Sequence, residues 1–220
     1  MSILRVEHLE KELGPQNTLI LSDLNFTIEE GQFVTLTGKS GSGKSTLLYI
    51  LSTLDRPTRG KVLYFDRDIA KFSDEELHKL RNQNIGFVFQ FHYLLPELSA
   101  LENVLMPTRK WNMYKEKKEF AEYLLNKMGL DNRFDYTPKE LSGGQAQRVA
   151  IARSLIMNPK FLFADEPTGS LDSANTKIVI DSFNQINKEF KTTIVMVTHD
   201  PDLANSTGRQ IHLSDGKMVP

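Results

Sequence analysis

The chain has no cysteine, a single tryptophan among 220 residues, and no long apolar run. Without thiols there are no disulfides and no thiolate metal sites, which fits a reducing compartment. The apolar runs fall short of the ~18 residues that a membrane span requires, so no direct membrane span is expected. The segment Met1-Ser2-Ile3-Leu4-Arg5-Val6-Glu7 carries charges and lacks the apolar core of a signal peptide. Neither charge sign dominates: 27 Lys and Arg against 28 Asp and Glu leave a formal net charge of −1. The cations are scattered, without the basic stripe that nucleic-acid binding usually needs, so no nucleic-acid partner is expected. There is also no internal repeat and no low-complexity segment. What remains is 40% hydrophobic residues, enough for a real core as one subdivided domain or two small ones. A soluble, cytoplasmic protein is the expectation.

The most informative stretch present is Gly38-Lys39-Ser40-Gly41-Ser42-Gly43-Lys44-Ser45-Thr46. It sits between Gln32 to Thr37, which has strand character, and the helical spacing of Thr46 to Ser52. That strand-loop-helix setting is what a P-loop requires, and a Gly/Ser linker would not have it. Gly38 and Gly43 bracket a tight loop whose backbone N–H groups can face phosphates, with the positive end of a helix behind them. Lys44 supplies a mobile charge, and the Ser45 hydroxyl is placed to join the coordination sphere of Mg²⁺.

Several apolar runs end in polar groups. Phe33 to Thr37 ends at the P-loop, Ile85 to Phe89 at Gln90, Phe161 to Ala164 at Asp165-Glu166, and Thr193 to Val197 at Thr198-His199-Asp200. Continuous apolar strands indicate a parallel sheet buried on both faces, hence an α/β fold. In such sheets the ligand lies beyond the carboxyl ends of the strands, which makes Gln90, Asp165, Glu166 and His199 candidates for one site.

The outer parts differ. Residues 1 to 30 and 61 to 65 alternate like half-exposed antiparallel strands, and Ile211 to Val219 reads as a hairpin turning at Asp215-Gly216. Ser73 and Glu76 have capping-box spacing at the head of a helix. Helical character dominates from Phe91 to Asn158, with Phe120, Leu124, Leu125 and Met128 on a buried face. Residues 174 to 190 read as a helix packing on the sheet through Ile178, Phe183, Ile186 and Phe190. Within the helical insert, Leu141-Ser142-Gly143-Gly144-Gln145 precedes an uninterrupted helix. Ser142 is a good N-cap, and the two glycines and the helix dipole make this a second start that favours an anion.

These motifs, in this order and over nearly the whole chain, resemble the ATP-binding cassette of ABC transporters. The resemblance implies a P-loop NTPase with a RecA-like, mostly parallel sheet, an N-terminal antiparallel β subdomain and an inserted α-helical subdomain. Residues 1–90 and 159–220 would form the catalytic core, and 91–158 the helical subdomain. It also implies ATP and Mg²⁺, bound between two copies of the chain arranged head to tail. The P-loop of one copy, including Gly38, Ser40, Gly41, Ser42, Gly43, Lys44, Ser45 and Thr46, would face Ser142, Gly143, Gly144 and Gln145 of the other. Asp165 would hold Mg²⁺ through water, Glu166 would be the general base on the attacking water, and His199 would contact the γ-phosphate. Gln90 would touch Mg²⁺ or that water and report nucleotide state, and Asp172 would link the two sites. The family usually places an aromatic near Leu13 to stack on adenine, yet residues 1 to 25 contain none.

Narrower resemblance comes from Phe89 to Val104, Met106-Pro107 and Ala164 to Ser173, which are similar to the LolD/MacB/FtsE group. Within it the His92-Tyr93-Leu94-Leu95-Pro96 stretch is most similar to the lipoprotein-releasing members. A homodimeric ATPase on the cytoplasmic face of the inner membrane is implied, driving integral membrane permease subunits that dock near Phe91, Tyr93 and Leu95. The alternatives are a MacB-type efflux ATPase and an FtsE-type division ATPase that acts through a membrane partner without transport. A small-molecule kinase or GTPase would share the P-loop but not the Leu141 to Gln145 segment, and no Asn-Lys-x-Asp guanine box is present.

Overall fold

Alternating apolar and polar residues at the start of the chain build two long strands, β1 (Ser2–Leu13) and β2 (Thr18–Glu29), paired antiparallel in the computed structural model, which describes residues 2–219. β3 (Phe33–Thr37) runs into the P-loop and α1 (Lys44–Leu51) leaves it. β4 (Arg59–Tyr64) and β5 (Arg67–Asp68) join β1 and β2 in a four-stranded antiparallel sheet of order β2-β1-β4-β5. α2 (Asp74–Asn84) begins with the expected capping box, Ser73 and Glu76 bonding each other's backbone N–H. The chain then runs through β6 (Ile85–Val88), α3 (Ala100–Leu105), α4 (Lys118–Lys127) and α5 (Gly143–Leu155). It closes with β7 (Phe161–Asp165), α6 (Ser173–Phe190), β8 (Thr193–Val197), α7 (Pro201–Ser206), β9 (Arg209–Ser214) and β10 (Lys217–Val219).

The second sheet has order β10-β9-β3-β8-β7-β6, parallel throughout except at β10. Its central strands are buried on both faces, as their continuous apolar runs require. The pleat sends alternate residues to two cores. Phe161 and Phe163 pack with α1 and the antiparallel sheet, through Leu47, Leu48, Leu4 and Tyr64. Leu162 and Ala164 pack with the helices on the other side, through Leu124, Val149, Ile151 and Phe183. The side chains Leu124, Leu125 and Met128 are buried and Phe120 packs against them, which is the face that the spacing indicated.

One expectation is corrected, and the C-terminal hairpin is borne out. Ile178 does not pack on the sheet: it is 46% exposed. The buried stripe of α6 is Val179, Phe183 and Ile186, with Phe190 partly buried, a strict i, i+4, i+7, i+11 series from which Ile178 is displaced by one residue, about 100° around the helix. The C-terminal hairpin forms with Asp215 and Gly216 both at positive φ, the geometry of a two-residue turn. Its first strand, β9, also pairs in parallel with β3 and so joins the hairpin to the main sheet. The half-exposed alternation of β9 reflects its place near the edge of the sheet, one strand in from β10.

Candidate nucleotide site

The P-loop has no room for a side chain at Gly38 or at Gly43, where a Cβ would lie 2.6 Å from Leu21 Cδ2. Gly38 has φ 139°, and a Cβ there would lie 2.1 Å from the Leu213 carbonyl oxygen. Lys44 is only 5% exposed, its Nζ donating to the carbonyls of Gly38 and Lys39 at 2.9 Å each. Burial pushes its ammonium below the ordinary lysine range, opposed by the nearby charges of Glu166 and Asp165. Ser40 and Gly41 are exposed at the loop tip, and Thr46 is half-buried on α1. The Ser42 hydroxyl is buried and has no hydrogen-bond partner among the described residues. A glycine-lined turn with an orphaned hydroxyl and a buried lysine fits a polyphosphate.

Asp165, at the end of β7, accepts hydrogen bonds on both oxygens: from Ser45 Oγ at 3.0 Å and from Tyr49 Oη at 2.7 Å. Burial and the Asp165 carboxylate push the Tyr49 phenol up to about 12. A hydroxyl and a carboxylate side by side are the hard oxygen donors that suit Mg²⁺. The next residue, Glu166, is in the left-handed region at φ 45°, its N–H donating to Val197 O at 3.1 Å. This turn aims its carboxylate across the end of β8, where Oε1 lies 2.6 Å from His199 Nε2. Left-handed backbone at a non-glycine costs on the order of 1 kcal/mol, and such strain clusters at functional sites. The Gln90 amide lies against the same turn, since a Cβ on Gly169 would be 3.0 Å from its Nε2. The strand order thus gathers Lys44, Ser45, Gln90, Asp165, Glu166 and His199 at one end of the sheet.

A second group gathers around the start of α5. The Ser142 hydroxyl accepts from Gln145 N at 3.3 Å and Gln145 Oε1 accepts from Ser142 N at 2.9 Å, a reciprocal capping box. Ser142 and Gly143 are exposed, whereas Gly144 is buried against Asn175, which is held by the helix-capping carboxylate of Asp172. These hydrogen bonds hold the Asp172 carboxyl below its usual range. Among the described residues, no hydrogen bond or ion pair joins Ser142, Gly143, Gly144 or Gln145 to the P-loop.

Sequence reasoning missed three residues that tie these parts together. Tyr49 lies four residues after Ser45 on α1, a spacing that puts both on one face and was the available signal. Gln147 is fully buried, donating to Phe89 O at 3.2 Å and Pro167 O at 2.8 Å and accepting from His92 Nδ1 at 2.6 Å. Arg153 donates to the carbonyls of His92 and Tyr93, both at 2.7 Å. Both thereby fasten α5 to the segment whose outer side chains Phe91 and Tyr93 are 63% and 64% exposed, with Leu95 also exposed. An open cavity of about 730 Å³ adjoins the site, lined in part by Glu166, Gly169, Leu171 and His199. Leu13 is 43% exposed at the end of β1, on the strand pair whose Ile20 and Leu21 back Gly43.

A family model described as ABC transporter matches residues 21–169. The chain is 56% identical over 214 residues to the lipoprotein-releasing system ATP-binding protein LolD of Leptospira interrogans, covering 97% of this chain and 90% of that one. It is 53% identical over 218 residues to the protein of the same name from Aquifex aeolicus, covering 99% and 96%. Among solved structures, the dimeric post-hydrolysis state of the ATP-binding cassette MJ0796, bound to ADP and Pi, superposes with a TM-score of 0.87 at 37% identity, covering 99% and 97%. The match spans more than half of the chain and includes both the P-loop turn and the strand that ends in Asp165 and Glu166, so the chain belongs to the ABC transporter family as an ATP-binding cassette.

Proposed function

We propose that this chain is the ATP-hydrolysing subunit of a lipoprotein-releasing ABC transporter, working as a pair of identical copies that close on ATP and drive membrane permease subunits. The observation that carries the chemistry is the convergence of Lys44, the Ser45–Asp165 pair and the Glu166–His199 pair at the carboxyl ends of adjacent strands. Phosphoryl transfer to water needs charge neutralisation and an aligned nucleophile more than covalent chemistry, and these groups supply both. Lys44 and the P-loop amides bind the β- and γ-phosphates. Ser45 and Asp165, with Gln90, hold Mg²⁺, which neutralises phosphate charge when bound. Glu166 takes the proton of the attacking water, and His199 orients Glu166 and meets the γ-phosphate. Ser142 and Gly143, exposed on the arm formed by residues 91–158, with half-buried Gln145 and buried Gly144 beside them, complete the site of the second copy, and Asp172 connects the two sites. The dimeric state of the MJ0796 cassette supports this arrangement.

The cargo follows from the strength of likeness to two proteins named for lipoprotein release. No described helix is long and apolar enough to cross a membrane. A membrane permease partner is supported by the likeness to proteins of a lipoprotein-releasing system. The exposed rings of Phe91 and Tyr93, with Leu95, are its docking point on the cytoplasmic face of the inner membrane. Depleting the chain is expected to leave lipoproteins in the inner membrane, and gentle detergent purification should recover a permease pair with it. Normal lipoprotein export after depletion, together with co-purification of a division-site or efflux partner, sinks the lipoprotein reading and leaves the ATPase.

Leu13 bears on nucleotide choice. An aliphatic platform for adenine lacks the ~0.5 to 1.5 kcal/mol that ring stacking contributes. Leu13→Tyr is therefore expected to tighten ATP binding about two- to tenfold in titration calorimetry. Unchanged affinity and an unchanged ATP-to-GTP ratio remove Leu13 from the base site.

A further inference from the structure

Asp165 is gripped at both oxygens by one helix. Ser45 Oγ donates to Oδ1 at 3.0 Å and Tyr49 Oη to Oδ2 at 2.7 Å, from positions one turn apart on the same face of α1. A carboxylate with one such bond can still turn about its last single bond. A second bond on the other oxygen, from the same rigid element, fixes its plane. Tyr49 is itself held: its ring lies 6.1 Å from Phe87, and Phe87 lies 4.1 Å from Phe89, in a packed row along β6 and its continuation. A phenol is also chemically suited to the task. It donates one hydrogen bond and brings no positive charge, so it orients Asp165 without weakening the carboxylate's attraction for a cation, as lysine or arginine in its place would.

We propose that Tyr49 is a positioning residue for the metal site, its hydroxyl fixing the plane of Asp165 so that the carboxylate stays aligned with Ser45 and the Mg²⁺ that accompanies ATP. This rests on the assignment of Asp165 to Mg²⁺ made above. The hydrogen-bonded partners of groups that hold a metal commonly contribute about 10- to 100-fold in metal affinity. Ser45 remains in place when Tyr49 is changed, so the low end applies.

The test uses the whole chain as wild type, Tyr49→Phe and Asp165→Asn. ATP affinity is measured by calorimetry with Mg²⁺ and with EDTA, and Mn²⁺ affinity for the ATP complex by electron paramagnetic resonance. Tyr49→Phe keeps the ring on Phe87 and is expected to weaken Mn²⁺ binding about tenfold while leaving ATP affinity in EDTA unchanged. Wild-type Mn²⁺ affinity in Tyr49→Phe, alongside a loss in Asp165→Asn, overturns the role of Tyr49 alone. Equal weakening with and without metal in Tyr49→Phe makes it a packing residue and also overturns the proposal. Wild-type Mn²⁺ affinity in Asp165→Asn overturns the metal assignment on which the proposal stands.

Discussion

Glu166→Gln is expected to abolish steady-state ATP turnover and to convert the chain into a dimer that persists as long as ATP and Mg²⁺ are present. The amide has the shape of the carboxylate, so it can keep a contact with His199 in place of the present 2.6 Å pair and leave the left-handed turn intact. It cannot accept a proton from water at neutral pH. General-base assistance is typically worth ~10² to 10⁴ in rate, and the loss falls on the chemical step alone. Binding should survive because the hydrogen bonds of Lys44 to its two carbonyl partners and the Ser45–Asp165 hydrogen bond do not involve Glu166. If the γ-phosphate bridges two copies, failure to cleave it leaves them closed. Size-exclusion chromatography with light scattering should then show a dimer with ATP and a monomer with ADP. Strictly monomeric elution at saturating ATP and Mg²⁺ counts against the two-copy site, and near-normal turnover counts against Glu166 as the base.

Local patterns in the sequence carried those features that local hydrogen bonds build. The P-loop, the Ser73 and Ser142 caps and the Asp215-Gly216 turn each depend on residues a few positions apart, and all four form as the spacing indicates. The strand ends were legible because a strand buried on both faces must be apolar throughout, and the first polar residue marks where it emerges. Long-range fastenings were not legible. Gln147 reaches Phe89 across 58 positions and Pro167 across 20, and nothing in the neighbourhood of Gln147 records either partner. A glutamine in a helix usually faces solvent. This one is buried because two backbone carbonyls, left without partners where strand-like segments end, need a donor. Ile178 failed for the opposite reason: its apolarity invited burial, while the phase of α6 was fixed by Val179, Phe183 and Ile186. The parallel pairing of β9 with β3 was equally hidden, since it depends on where the chain returns after α7.

That the second cluster acts on the other copy's nucleotide can be tested by mixing two defective chains. Gly144→Arg should be inactive, because even a Cβ at this position would sit 2.2 Å from Asn175 Oδ1 and the longer side chain would crowd the helix start and the Asp172 cap. Its own P-loop, which makes no bond to this segment among the described residues, should still bind ATP. Lys44→Ala should be inactive through the opposite defect, losing the charge beneath the phosphates while retaining an intact start to α5. In a two-fold dimer, each contact is made twice, once from each chain. A mixed dimer then places both defects in one site and leaves the other with a normal Lys44 and a normal Gly144. Random pairing makes half of the dimers mixed, each with one sound site, so mixing the two inactive chains should restore up to about a quarter of wild-type turnover. If Ser142 and Gly144 serve the nucleotide of their own chain, every site in every pairing carries a defect and the mixture stays silent. The same mixture prepared with Glu166→Gln added to the Gly144→Arg chain is expected to be inactive again, because the one sound P-loop would then lack its base.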